Sequence, residues 1–116
     1  ETLLRLQQLV RDIEIGEHLL RYATRLVRAT RPSETTVAAV KQHVGWGAGP
    51  RAGQALLLAG KARAVLNGRP AVSLEDIRAV APPVLRHRLL VNFQAEADGI
   101  DAEMVVTRLL DAVPVR

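Results

Sequence analysis

The chain has 116 residues, enough for one domain with a single hydrophobic core and too few for two. Hydrophobic residues make up 48% and charged residues 24%, a globular balance that excludes a disordered chain, and the lack of cysteine excludes disulfides and thiolate chemistry. The net charge is +4, and 14 of the 16 basic residues are arginine, the residue best suited to planar contacts with phosphate or carboxylate.

The first thirty residues predict two helices separated by a short joint. Apolar residues spaced by three and four favour an amphipathic helix over residues 2–11. Residues 12–16 alternate between apolar and acidic side chains and end in a glycine, which predicts an extended segment. A clearer helical period covers residues 17–30, and Pro32 follows its end.

The middle of the chain predicts a short helix, a loop and a long helix. Valines spaced by three and four favour a helix over residues 36–44, although the threonines before them favour a strand locally. Residues 45–50 contain three glycines and a proline, which predicts a shaped loop without regular structure. Residues 51–66 are apolar nearly all round, so we expect the central and most buried helix there, ending near Asn67-Gly68.

The last part of the chain predicts two further helices and a β-ribbon. Ser73 is a candidate cap for a helix that reaches about residue 80, where Pro82-Pro83 should end it. The β-prone stretch Arg88–Phe93 is expected to pair with Ala71-Val72, and a final amphipathic helix covers about residues 101–113. These elements predict an all-α fold, a small helical bundle of about five to six helices with one short two-stranded ribbon.

The sequence lacks the residue patterns of common catalytic and metal sites. The glycine-rich residues 45–49 are not followed by the Lys-Ser or Lys-Thr pair of a phosphate loop. His18, His43 and His87 do not have the spacing of metal ligands, and both serines lie in turn or cap contexts. We therefore expect neither a catalytic residue nor a metal site within this chain.

Arg51 lies at an unusual place for a cation. It follows the flexible loop and opens a long apolar helix, where it faces the positive end of the helix dipole. This arrangement is unfavourable by up to about 1 kcal/mol, so either the side chain turns into water or an anion compensates it. A phosphate would suit the site because helix amides and a guanidinium can bind the same charge.

Five short segments carry a more specific signal. They are 22–31 (YATRLVRATR), 47–53 (GAGPRAG), 55–69 (ALLLAGKARAVLNGR), 72–77 (VSLEDI) and 84–89 (VLRHRL). In this order they resemble the C-terminal lid subdomain of MoxR-type AAA+ ATPases. That family often has serine before the Pro-Arg pair, whereas this chain has Gly49, which removes one hydroxyl but leaves the arginine.

The resemblance implies a role for Arg51 as the sensor-2 arginine, which reaches from the lid to the γ-phosphate of ATP. ATP and Mg²⁺ would be bound mainly by a preceding core domain that also supplies the hydrolytic residues, so this chain alone would not hydrolyse ATP. Residues 1–116 would form a single lid domain, with residues 1–15 as the linker helix and joint. Because the chain begins with Glu1 and its one methionine is Met104, we expect it to be a piece of a longer protein.

The resemblance further implies a cytoplasmic, homo-oligomeric ring, a hexamer, in which the lid contacts its own core domain. Such rings remodel protein partners, often proteins with von Willebrand factor A domains, and neither nucleic acid nor a membrane is expected as a partner. Arg86, His87 and Arg88 could contact a neighbouring subunit, or Arg88 could form a buried ion pair. Trp46 is interpreted as a packing residue, with base stacking as its alternative.

Two other functions remain open from the sequence. A basic helical domain could bind DNA with the helix after Ser73, but that helix carries Glu75 and Asp76 against a single base, Arg78, and phosphates repel such acids. The chain could also be a helical protein-interaction module without any link to nucleotides.

Overall fold

The computed structural model describes residues 2–115, except for the side chains of Leu6 and Arg11, and is built mainly from helices. Its elements in chain order are α1 (Thr2–Asp12), α2 (Glu17–Ala29), α3 (Ala38–His43), β1 (Val44–Trp46), α4 (Arg51–Leu66), α5 (Leu74–Leu85), β2 (Leu90–Val91), α6 (Phe93–Asp98) and α7 (Ala102–Ala112). The predicted all-α bundle is confirmed. Within the described range there are seven helices instead of five to six, because α6 was not predicted.

Helix α2 supplies much of the hydrophobic core, as its strong periodicity predicts. Its buried side chains recur at spacings of three and four: Leu19, Tyr22, Ala23, Leu26 and Val27. Arg78 of α5 donates one hydrogen bond to the Tyr22 hydroxyl at 3.1 Å and another to the Leu110 carbonyl at 3.0 Å. This one guanidinium therefore joins α2, α5 and α7 and satisfies the buried phenol.

Helix α4 lies at the centre of the bundle, where it packs against α1, α2 and most extensively α5. Its fully buried residues form a single stripe of small side chains and one leucine: Ala52, Leu56, Gly60 and Ala64. A Cβ at Gly60 would lie 2.9 Å from Ile77 Cδ1, so glycine is what lets α5 approach closely. Leu58 and Leu66 are exposed, and α4 has four buried residues among 16 against five among 13 in α2, so the prediction that α4 is the most buried helix is wrong.

Helix α5 begins with the predicted cap but runs further than expected. Ser73 and Asp76 form a reciprocal capping box at its first turn. The prediction that Pro82-Pro83 ends the helix is wrong, since α5 continues to Leu85. Each proline removes one intrahelical hydrogen bond, yet its fixed φ is helical, and full burial of Ala81 and Leu85 holds the last turn against the core.

The β-ribbon exists, but with a different partner from the one predicted. Strand β1 pairs antiparallel with β2, with Val44 opposite Val91 and Trp46 opposite Leu90. Ala71-Val72 instead lies along the joint after α1, where the Val72 amide donates to the Glu14 carbonyl at 2.9 Å. The stretch 45–50 is therefore only partly a loop, because its first two residues belong to β1.

Helix α6 was missed, although both of its ends carry ordinary signals. The Asn92 side chain caps it by accepting from the Ala95 amide at 2.9 Å, and Gly99 ends it at φ +70°. None of the described helices is long and apolar enough to cross a membrane.

Candidate functional site

The loop before α4 places Arg51 at the first position of that helix, as predicted. The cap residue Pro50 offers no side-chain acceptor, and the first turn of α4 holds no acid. The Arg51 side chain is exposed, and it forms no ion pair with any carboxylate of residues 2–115. The positive helix end and the guanidinium are thus left together at the surface.

The end of α2 holds this loop in place through one peptide unit. The Thr30 hydroxyl accepts a hydrogen bond from the Ala48 amide at 2.9 Å and donates to the Val27 carbonyl at 2.6 Å. Arg31 Nε donates to the Ala48 carbonyl at 3.2 Å. Thr30 and Ala48 are both buried. Both polar groups of Ala48 are therefore fixed by the two residues that follow α2, which joins segment 22–31 to segment 47–53.

The two glycines that flank Ala48 have different roles. A Cβ on Gly47 would lie 2.5 Å from the Thr30 carbonyl oxygen and 2.7 Å from Arg31 Cα, so no side chain fits there. A Cβ on Gly49 would meet nothing within 4 Å. Gly47 is required by the contact with α2, whereas the structure gives no steric reason for glycine in place of serine at position 49.

Two pockets flank the loop and share Trp46 as a wall. One, of about 550 Å³, is lined by Arg31, and the other, of about 480 Å³, is lined by both Arg51 and Arg88. Trp46 is 73% exposed. The interpretation of Trp46 as a packing residue is therefore wrong within the described structure, because β1 lies at the surface and turns this side chain outward.

The segment after α5 gives its two arginines different partners. Arg86 forms an ion pair with Glu103 at 3.3 Å and donates to the Pro82 carbonyl, which ties α7 to the end of α5. His87 is exposed. Arg88 is also exposed and donates to the Val84 carbonyl at 2.8 Å, so the interpretation of Arg88 as a buried ion pair is wrong.

Asp76 has a larger role than its place in a cap suggests. Its carboxylate is fully buried and accepts hydrogen bonds from Arg63, Arg69 and the Ser73 amide, at 2.5 to 2.8 Å. Burial opposes ionisation, but the bonds from Arg69, Ser73 and Arg63 outweigh it and lower the pKa of Asp76 from 3.8 to about 2. Segments 55–69 and 72–77 therefore form one network that fixes the turn between α4 and α5.

A second polar contact lies next to the ribbon, between α3 and α6, and was not predicted from the sequence. His43 Nε2 lies 3.0 Å from Asp98 Oδ2, which joins α3 to α6. Hydrogen bonds from Gln94 and His43 lower the pKa of Asp98. No local spacing could have identified this pair, because its two members are 55 residues apart.

The structure weakens the DNA-binding alternative. Its recognition helix would be α5, but Arg78, the one base in the first part of that helix, is turned inward onto Tyr22 and Leu110. Glu75 is exposed instead. The outward face therefore offers acid where DNA phosphates would lie. As for metals, the histidines lie on separate elements, and residues 2–115 contain no group of three His, Asp or Glu side chains placed to hold an ion.

Comparison with known protein families gives one match over the centre of the chain. The AAA lid domain family matches residues 36–109, which run from just before α3 into α7. The matched stretch includes Arg51, the Asp76 network and Arg88.

Individual proteins extend this similarity to nearly the whole chain. "Chaperone MoxR1" of Mycobacterium tuberculosis is 39% identical over 112 residues, which cover 96% of this chain and 30% of that protein. "Protein MoxR" of Paracoccus denitrificans is 34% identical over 116 residues, with 92% and 33% covered. A crystal structure of a candidate ATPase from Cytophaga hutchinsonii is 36% identical, with a TM-score of 0.86 over 92% of this chain and 33% of that one. The chain therefore spans about a third of the length of each.

Proposed function

The chain belongs to the AAA lid domain family and is of the MoxR type, and from this premise we propose that it presents Arg51 as the sensor-2 arginine to the γ-phosphate of ATP. In this proposal ATP and Mg²⁺ are held mainly by a core domain elsewhere in the full-length protein. That core also supplies the hydrolytic residues, so the chain contributes to an ATPase without being one by itself.

The surroundings of Arg51 support this role. An exposed arginine, the N-terminal end of a 16-residue helix and the absence of acid from its first turn all favour an anion at this point. A phosphate oxygen can accept from the guanidinium and from helix amides at once, which removes the unfavourable charge–dipole arrangement. The single observation that carries the proposal is this exposed Arg51, unpaired within the described residues, inside the matched family region.

The hydrogen bonds that hold the loop support an electrostatic contribution of Arg51 to ATP hydrolysis. Thr30 and Arg31 fix the Ala48 peptide, so the backbone that leads into the start of α4, from which Arg51 projects, is held in position before the ligand arrives. In phosphoryl transfer such a placed cation stabilises charge on the transferring group. When the γ-phosphate leaves, that contact is lost, and the lid becomes free to rotate relative to the core.

We extend the proposal to assembly. The full-length protein would form a homo-oligomeric ring, a hexamer, that remodels protein partners such as those with von Willebrand factor A domains. Trp46, Leu90 and Phe93 support protein contacts in general, because these apolar side chains lie at or next to the ribbon and are exposed.

The test is an Arg51→Gln substitution in the full-length protein. We expect ATP turnover to fall by about 100-fold, the usual order for removing one placed donor to transition-state charge. Steady-state ATPase assays measure the effect, and circular dichroism with a thermal melt checks that the fold is retained.

A matched control is Arg108→Gln, which removes the same charge from an exposed position on α7. Turnover of this variant should equal that of the unmodified protein. Unchanged turnover in Arg51→Gln would contradict the sensor role. It would favour the alternative that the chain is a helical protein-interaction module without any link to nucleotides.

A further inference from the structure

The antiparallel ribbon brings Arg88 beside the loop that carries Arg51. In an antiparallel pair, the residues that follow one strand lie next to those that precede the other. Trp46 is paired with Leu90, so the chain leaving β1 toward Arg51 runs alongside the chain that enters β2 from Arg88. The two arginines accordingly line one pocket of about 480 Å³.

Among the described residues, the charged side chains that line this pocket are all positive. Its lining contains Arg51 and Arg88 and no acidic residue. Neither guanidinium is within ion-pair distance of any carboxylate of residues 2–115. Both positive charges therefore face the same pocket without a neutralising partner among the described residues. An anionic ligand in the pocket would be attracted by both arginines at once.

The Arg88 side chain is oriented and still able to bind. Its Nη1 donates to the Val84 carbonyl at the end of α5, which limits the positions open to the guanidinium. A guanidinium has five N–H donors, so this bond leaves most of its binding capacity. Arg86, two residues earlier, shows the contrasting structural case, because it is paired with Glu103 and does not line the pocket.

We propose, on the premise of the lid function above, that Arg88 is a second phosphate-binding arginine that acts with Arg51 on the phosphate chain of the same nucleotide. A phosphate group fits two guanidinium forks because it offers more acceptor oxygens than a carboxylate and carries more charge. This role also accounts for the VLRHR segment, whose last arginine reaches the pocket while its first stabilises the fold.

The experiment uses the full-length protein with Arg88→Gln, Arg88→Lys, Arg51→Gln and the double Arg51→Gln/Arg88→Gln. ATP turnover and the Kd of a non-hydrolysable ATP analogue are measured for each. Arg88→Gln should raise this Kd at least 10-fold and lower turnover, and Arg88→Lys should restore part of the affinity because the charge remains. The loss in the double variant should differ from the product of the single losses, since both side chains share one ligand.

Arg86→Gln is the matched control. It removes an arginine from the same segment and the bond to Glu103, so it should lower the melting temperature slightly while leaving turnover and nucleotide affinity unchanged.

The outcomes separate this inference from the proposed function. If Arg51→Gln impairs turnover while Arg88→Gln leaves both turnover and nucleotide Kd unchanged, the role of Arg88 is refuted and the sensor role of Arg51 stands. If Arg88→Gln changes only the assembly state in sedimentation, the pocket binds a carboxylate of another subunit and the phosphate role is refuted. If Arg51→Gln also has no effect, the lid function itself fails.

Discussion

At the scale of single residues, the position of Arg51 depends on contacts that it does not make itself. The Ala48 peptide is bonded on its amide side to Thr30 and on its carbonyl side to Arg31. Gly47 lies so close to the end of α2 that no side chain fits. Local sequence could indicate a shaped loop, but it could not show that residues 30–31 and 47–48 form one unit.

A pair of glycine substitutions tests this unit. Gly47→Ala should destabilise the chain by about 1–3 kcal/mol, because its Cβ would overlap the backbone of Thr30 and Arg31, and it should lower ATP turnover in the full-length protein by displacing the loop. Gly49→Ala should change stability by less than about 0.5 kcal/mol, since its Cβ meets nothing. Chemical denaturation measures both, and equal effects at the two positions would contradict the close contact.

The site residues show where sequence reasoning succeeds and where it ends. The place of Arg51 at the start of α4 was predicted correctly, because the glycine-rich loop and the apolar helix after it are visible in the sequence, and its sensor role stays a prediction. Trp46 and Arg88 could not be placed, because their surroundings depend on a strand pairing between segments about 44 residues apart. An isolated tryptophan or arginine carries no local signal that distinguishes a buried position from an exposed one.

At the scale of elements, helix positions followed from periodicity, while their partners did not. The bounds of α1, α2 and α4 agree closely with the apolar spacing. The ribbon partner was wrong because Val44–Trp46 contains a glycine and carries no local strand signal, so only tertiary packing makes it the partner of β2 in place of Ala71-Val72. The end of α5 was wrong because burial of Leu85 outweighs the effect of two prolines.

The turn between α4 and α5 should make stability depend on pH in the acid range. The pKa of Asp76 is about 2 in the folded chain against 3.8 ordinarily, so its contribution is complete above about pH 5 and disappears as the pH falls toward 2. The loss should be about 2 kcal/mol, from a fully buried group. Urea titrations between about pH 5 and 2 measure this change.

The variant Asp76→Asn provides the comparison. It should be less stable by about 3 kcal/mol at neutral pH, because Arg63 and Arg69 lose their charged partner. Its stability should also vary less with pH over the same range. A slope as steep as that of the unmodified chain would mean that another carboxylate causes the acid sensitivity.

At the scale of the whole molecule, aromatic side chains are distributed in an unusual way. The chain has one Tyr, one Trp and one Phe. Tyr22 is fully buried, whereas Trp46 is 73% and Phe93 is 88% exposed. Burial of large aromatics normally stabilises a core, and these two instead form an exposed apolar patch at or next to one ribbon, as the proposed assembly would require.

The single tryptophan allows a direct check of this arrangement. Fluorescence of this chain should show the emission of a water-exposed indole and should be quenched efficiently by acrylamide, because Trp46 lies mainly outside the core. Emission typical of an apolar environment, with weak quenching, would contradict the exposed ribbon.

The double attachment of Ala48 to the end of α2 has a mechanical consequence. A flexible loop could withdraw an arginine from its ligand by changing a few backbone angles while the rest of the domain stayed still. Here the loop backbone lacks that freedom, so under the proposed function the Arg51 side chain can change rotamer, but any larger withdrawal requires the bundle to move with it. Under the proposed function the chain would then move as one rigid body, so that loss of the γ-phosphate contact leads to rotation of the entire domain.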